Sequence, residues 1–128
     1  MSTMKLEIVT PDGVIYDGDI KMVTLPGKEG EFGVLPEHAS LVSLLDAGVI
    51  TIENANGHEI VVAINSGYVK VDENKVSCIA DGAVLIKDEE GTISDRLDEA
   101  KELLQKAQTS DVAIATAVGK VENIKKSM

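Results

Sequence analysis

Apolar and polar residues alternate with a period of two through most of the chain, in short runs roughly ten residues apart. The first, "KLEIVT", sets Leu6 against Lys5 and Glu7 and stops at the turn "PDG", Pro11 to Gly13. "DIKMVTL" alternates again up to Pro26-Gly27. "GVITIEN" and "HEIVVAI" flank Asn56-Gly57, a strong hairpin signal because both residues tolerate positive φ. "YVKV" and "KVSCIA" flank Asp72-Glu73-Asn74, a second hairpin, and "AVLI" comes after Asp81-Gly82. Short β-branched runs separated by turns predict an antiparallel sandwich or flattened barrel over residues 1–87.

From Asp88 the period lengthens to that of a helix. "KDEEGTISD" reads as a polar hinge in which Ser94 or Asp95 caps the next helix. Leu97, Ala100, Leu103, Leu104 and Ala107 fall on one stripe, and Glu102 and Lys106 form a favourable pair four residues apart. Gln108-Thr109 interrupt the pattern, and Ser110-Asp111 restart it. Ile114, Ala117, Val118, Val121 and Ile124 then line one face, with Lys125 and Lys126 complementing the C-terminal dipole. Residues 88–128 are therefore expected to form an antiparallel helical hairpin. Helices of about 12–15 residues are marginal alone in water, and Gly119 costs the second roughly 1 kcal/mol against Ala. Such a hairpin is stable only when docked, so a reversible arm and a fixed brace are both compatible with the pattern.

Composition narrows the function. In 128 residues, 44% are hydrophobic and 27% charged, which suits one globular core. No apolar run approaches the roughly 20 residues of a spanning helix. The N-terminus enters strand-like sequence directly, so a cytoplasmic-type compartment is the expectation. Twenty-two acidic against 12 basic residues leave a net charge of −10, which repels nucleic acid and anionic lipid. The single cysteine, Cys78, alternates with Val76 and Ala80 and reads as a small buried hydrophobe.

Candidate chemistry is sparse. Gly27, Gly30 and Gly33 recur every third residue, but no helix succeeds them and no Gly-Lys-Ser/Thr closes the run, so tight turns explain them better than a phosphate loop. His38 and His58 lie near separate turns, with no Ser or Cys nucleophile and orienting acid in view. No catalytic residue, metal ligand or cofactor is assigned. Phe32, Gly33, Val34, Leu35 and Pro36 make a turn-rich apolar segment that reads as a contact site or as core tucked beneath the sheet.

The stretch "GKEGEFGVLPEHASLVSLL", from Gly27 to Leu45, resembles the signature loop of the epsilon subunits of F-type ATP synthases. Gly27, Gly30, Phe32, Gly33, Val34, Pro36, His38 and Ala39 fill the pattern, with Ser40 where that family usually has Pro. "MKLEIVTPDGVIYDGD", "INSGYVKVDENKVSCIADGAV" and "LDEAKELLQKA" extend the likeness along the chain. The resemblance implies a non-catalytic central-stalk (rotor) subunit, with a sandwich that contacts the gamma subunit and the c-ring. It also implies a helical hairpin that reaches the alpha and beta subunits and inhibits ATP hydrolysis. The complex would sit at the cytoplasmic face of a bacterial inner membrane, this chain peripheral to it. By the same resemblance, Glu31, Phe32 and His38 are assigned to the side facing the c-ring.

Some members of that family carry an ATP-sensing motif at the first helix. Here it is filled by Leu97-Asp98-Glu99-Ala100-Lys101-Glu102, with Lys101 in place of Arg and Glu102 in place of Ala. Asp98 and Lys101 are the nucleotide-binding candidates. Loss of the planar fork and gain of an anion both disfavour a phosphate. A stand-alone ATP-sensing binding protein that uses this hairpin is the alternative reading.

Overall fold

A computed structural model describes residues 2–106. Its elements are β1 (Met4–Thr10), β2 (Gly13–Gly27), β3 (Gly30–Val34), β4 (Leu41–Leu45), β5 (Gly48–Asn54), β6 (Glu59–Ile64), β7 (Gly67–Val71), β8 (Lys75–Ala80), β9 (Ala83–Lys87) and α1 (Leu97–Lys106). The expected second helix lies outside the described residues.

All nine strands join one sheet in the order β1-β8-β7-β4-β2-β5-β6-β9, with β3 paired to β2. β2 also pairs β1, so the sheet closes on itself as a flattened sandwich. The 15 residues of β2 hold the two layers together. Its first half lies against β1, and its second half meets β3 and β5. The expectation of antiparallel pairing holds with one exception, because β1 runs parallel to β8 from Lys5↔Lys75 to Val9↔Ile79. Some seventy residues separate these strands, far more than the dozen or so a parallel crossover needs.

Period-two patterning explains the main core. Met4, Leu6 and Ile8 of β1 point inward with Ile20, Val23 and Leu25 of β2 and with the inner faces of β5 to β8. β6 breaks the alternation: Ile60 to Ile64 are all buried. Ile60, Val62 and Ile64 face the main core, while Val61 and Ala63 face a second one with Ala47, Val49, Val84 and Ile86. α1 closes that second core with Leu97, Ala100 and Leu104. A strand covered on both faces reads as a continuous apolar run, and "IVVAI" is one. Leu103, expected on the same stripe, is only half-buried at its margin.

The turns depart from the simplest expectation in one place. Of Asn56 and Gly57 only the glycine has positive φ, +82°. The β5–β6 connection is a four-residue loop rather than a two-residue hairpin. The Asn54 side-chain oxygen organises it, accepting the N–H groups of Asn56 at 3.0 Å and His58 at 2.9 Å. Of the two residues expected to cap α1, Ser94 holds the entry: its Oγ accepts the Arg96 N–H at 2.9 Å.

Candidate docking surface

β3 and the turns around it carry the residues singled out by sequence. The spacing of the glycines comes from the β2–β3 hairpin, where Gly27 opposes Gly30 at the tip. Gly30 has φ +132°, open to glycine, and a Cβ on Gly27 would lie 2.7 Å from the Phe32 ring. The ring thus covers the hairpin backbone. Phe32 is half-buried and packed against the main core, opposite Leu25. Glu31 opposes Pro26 and points to the exposed side near the tip.

His38 lies beyond the other end of β3, in the turn that leads into β4. Its Nδ1 is 2.6 Å from the Ala39 carbonyl, and its backbone N–H donates to the Leu35 carbonyl at 3.2 Å. Glu37 beside it has φ +68°, the left-handed region that costs a non-glycine residue roughly 1–2 kcal/mol. A hydrogen bond from its N–H to the Glu73 carbonyl, 3.2 Å, ties this turn to the β7–β8 hairpin. Glu31, Phe32 and His38 are therefore not one cluster. Phe32 faces inward between two exposed or half-exposed turns.

The surface that sequence reasoning missed is the outer face of β4, β7 and β8. Val42 is 71% exposed, Leu44 59%, Tyr68 44% and Ile79 40%. Leu44 pairs with Tyr68, Tyr68 with Ile79, and Ile79 with half-buried Val9 of β1. Four strands thus carry one apolar row, about 14 Å long at the usual strand spacing. Val42 lies beside it, opposite Lys70. The signal was present in "LVSLL". Leu41, Ser43 and Leu45 take the inward phase, yet Val42 and Leu44 keep the outward phase apolar too. On β6 that double phase meets α1. On β4 nothing among the described residues covers it.

α1 carries the degenerate nucleotide motif. Asp98 is exposed and Lys101 half-buried, three residues apart on the helix. Between β2, the β5–β6 loop and the segment after β9 opens a cavity of about 400 Å³. Asp17, Asp19, Asp88 and Glu89 stand at its wall over Ile60 and Leu85. Four carboxylates make it hostile to a nucleotide phosphate.

The described residues thus form a closed β-sandwich module that leaves an apolar row uncovered on one layer and seats a helix on the other. Residues 3–86 match the family model described as the beta-sandwich domain of the ATP synthase delta/epsilon chain, and the chain belongs to that family. It is 67% identical over 127 residues to the ATP synthase epsilon chain of Sulfurovum sp. (strain NBC37-1), covering 99% of both chains. Against the ATP synthase epsilon chain of Campylobacter fetus subsp. fetus (strain 82-40) it is 52% identical over 124 residues, 96% of each. The fold is shared with a chain in the cryo-EM structure of the Euglena gracilis mitochondrial ATP synthase OSCP/F1/c-ring. That match has a TM-score of 0.65 at 20% identity and covers 99% of this chain and 82% of the other. A chain of the Tetrahymena thermophila mitochondrial ATP synthase central stalk/c-ring matches with TM-score 0.54 at 14% identity, covering 98% and 96%.

Proposed function

We propose that this chain is a non-catalytic rotor subunit of a rotary ATP synthase, coupling ion-driven rotation to ATP synthesis from the central stalk. The observation that carries the reading is near end-to-end similarity to epsilon chains, 67% identical to that of Sulfurovum sp. (strain NBC37-1). The exposed row of Leu44, Tyr68 and Ile79 supplies a physical means of attachment. Apolar side chains aligned across strands suit a flat, stable contact with another protein. We assign that face to the gamma subunit, which forms the shaft.

Glu31, exposed near the β2–β3 tip, is assigned to the c-ring, with Phe32 holding the hairpin in shape from beneath. His38 belongs to the turn at the far end of β3 and borders the same partner surface. Residues 1–87 form the docked body. Residues 88–128 form an arm that pairs α1 with a second helix and, when extended toward the alpha and beta subunits, restrains ATP hydrolysis. Placement at the cytoplasmic face of a bacterial inner membrane accords with membership of such a complex. Asp98 and Lys101 do not make a tight ATP site, given the Lys and Glu substitutions in the motif.

Mixing the full chain with purified gamma subunit tests the reading. Co-elution as a one-to-one complex in size-exclusion chromatography is expected. Separate elution at micromolar concentrations of both would contradict it.

A further inference from the structure

Over its described residues, Leu97–Lys106, α1 is seated by three buried side chains, Leu97, Ala100 and Leu104, with Leu103 at the margin. How much of the time it stays docked depends also on the connector that delivers it. That connector is highly organised. The Asp88 carboxylate oxygen Oδ1 accepts the N–H groups of Glu90 at 2.9 Å and Thr92 at 3.0 Å. The Asp88 N–H donates to Thr92 O at 3.1 Å and the Gly91 N–H to Asp88 O at 3.0 Å, with Gly91 at φ +82°. The chain doubles back, so Ile93 bridges Lys87 and the Ser94 N–H donates to the Ile86 carbonyl at 2.7 Å.

A second tie runs to the body. Asn54 is the one buried polar residue among those described, 3% exposed. With its oxygen committed to the β5–β6 loop, its Nδ2 donates to Glu89 Oε2 at 3.5 Å. A polar side chain buried here joins the corner of the body to the first turn of the connector.

We propose that Asp88 to Ser94 is a clasp that sets how much of the time α1 is docked, with the Asp88 carboxylate as its organising acceptor and the Asn54–Glu89 bond as its anchor. A connector folded before docking loses little further entropy when α1 seats, which raises the effective concentration of the helix at its site. A slack connector would lower that effective concentration and with it the docked fraction of α1. The role of Asp88 is acceptance of two amides, so an Asn side chain, with its carboxamide oxygen, preserves it and Ala abolishes it.

The inference rests on the reading of residues 88–128 as a movable arm, and its test uses the isolated full chain. Failure of the chain to join a rotary complex would leave it untouched, and its own failure would leave the docking assignment untouched. Amide hydrogen exchange is measured by mass spectrometry in the parent and in Asp88→Ala, Asp88→Asn and Glu89→Ala. Exchange across residues 97–106 is expected to speed up about 3- to 10-fold in the two alanine variants, the factor that loss of one or two modest hydrogen bonds implies. Asp88→Asn is expected to match the parent, and β1 and β8 amides to be unchanged in all three variants. Unaltered α1 exchange in Asp88→Ala would overturn the proposal. So would an Asp88→Asn variant as fast as Asp88→Ala, or acceleration that spreads equally into β1 and β8.

Discussion

Tyr16 shows how one side chain registers its surroundings. The phenol is half-buried beside the acid-lined cavity, and its pKa is held above its ordinary 10.0 first by burial, then by Glu89, Asp19 and Asp17. The folded state therefore binds the phenolic proton more tightly than the unfolded state does. Its contribution is fully present below pH 10 and is lost as pH rises through the folded-state value. In a Tyr68→Phe background, ultraviolet titration should show the remaining phenol ionising above the ordinary tyrosine range. Thermal stability should fall over that same alkaline window, with a smaller fall in Tyr16→Phe. An ordinary titration midpoint would contradict this environment. Cys78 is a simpler case. Burial pushes its thiol up to about 12, consistent with the small core hydrophobe that its alternation with Val76 and Ala80 predicted. By contrast, nothing in the sequence marked Asn54, because a buried polar staple looks like any other turn-forming Asn until its partners are placed.

The helix and its seat are governed by small residues. Ala100 is fully buried in the second core, which also contains Ala47 and Ala63, so α1 lies close to the sheet. Ala100→Leu should overpack this contact at a cost of about 1–3 kcal/mol. The expected outcome is selective loss of α1, read as a drop in helical circular dichroism with the β signal and the main unfolding transition retained. A variant with an unchanged helical signal would show that the contact is looser than described. The stripe Leu97, Ala100 and Leu104 was legible because a period of 3.6 needs only local sequence. The strands were legible for the same reason. The parallel partnership of β1 with β8 was not, since pairing between segments so far apart leaves no local mark. β3 and β4 were hidden for another reason: the glycines of β3 and Pro36 in the turn before β4 favoured a turn reading of the stretch, and tertiary pairing with β2 and β7 overrode it.

For the molecule as a whole, the two faces of the sheet have different fates. The β5–β6–β9 side is sealed by its own helix, while the β4–β7–β8 side offers an apolar row to something else. Under the proposed function, that asymmetry gives one layer for the contact with the shaft and the other for the element that detaches. The fold class was readable from pattern. The docking face required register, because only pairing aligns Leu44, Tyr68 and Ile79. The decisive measurement is the affinity of Leu44→Asp and Ile79→Asp chains for the gamma subunit, set against Leu35→Asp, which alters an exposed apolar side chain (57%) in the turn after β3, off the row. A buried charge at the centre of such a contact costs several kcal/mol, so the two ladder variants should bind at least about 100-fold more weakly. Leu35→Asp should bind like the parent, and all three should keep the parent's unfolding midpoint within a few degrees. Parental affinity in both ladder variants would show that the shaft is held by some other surface.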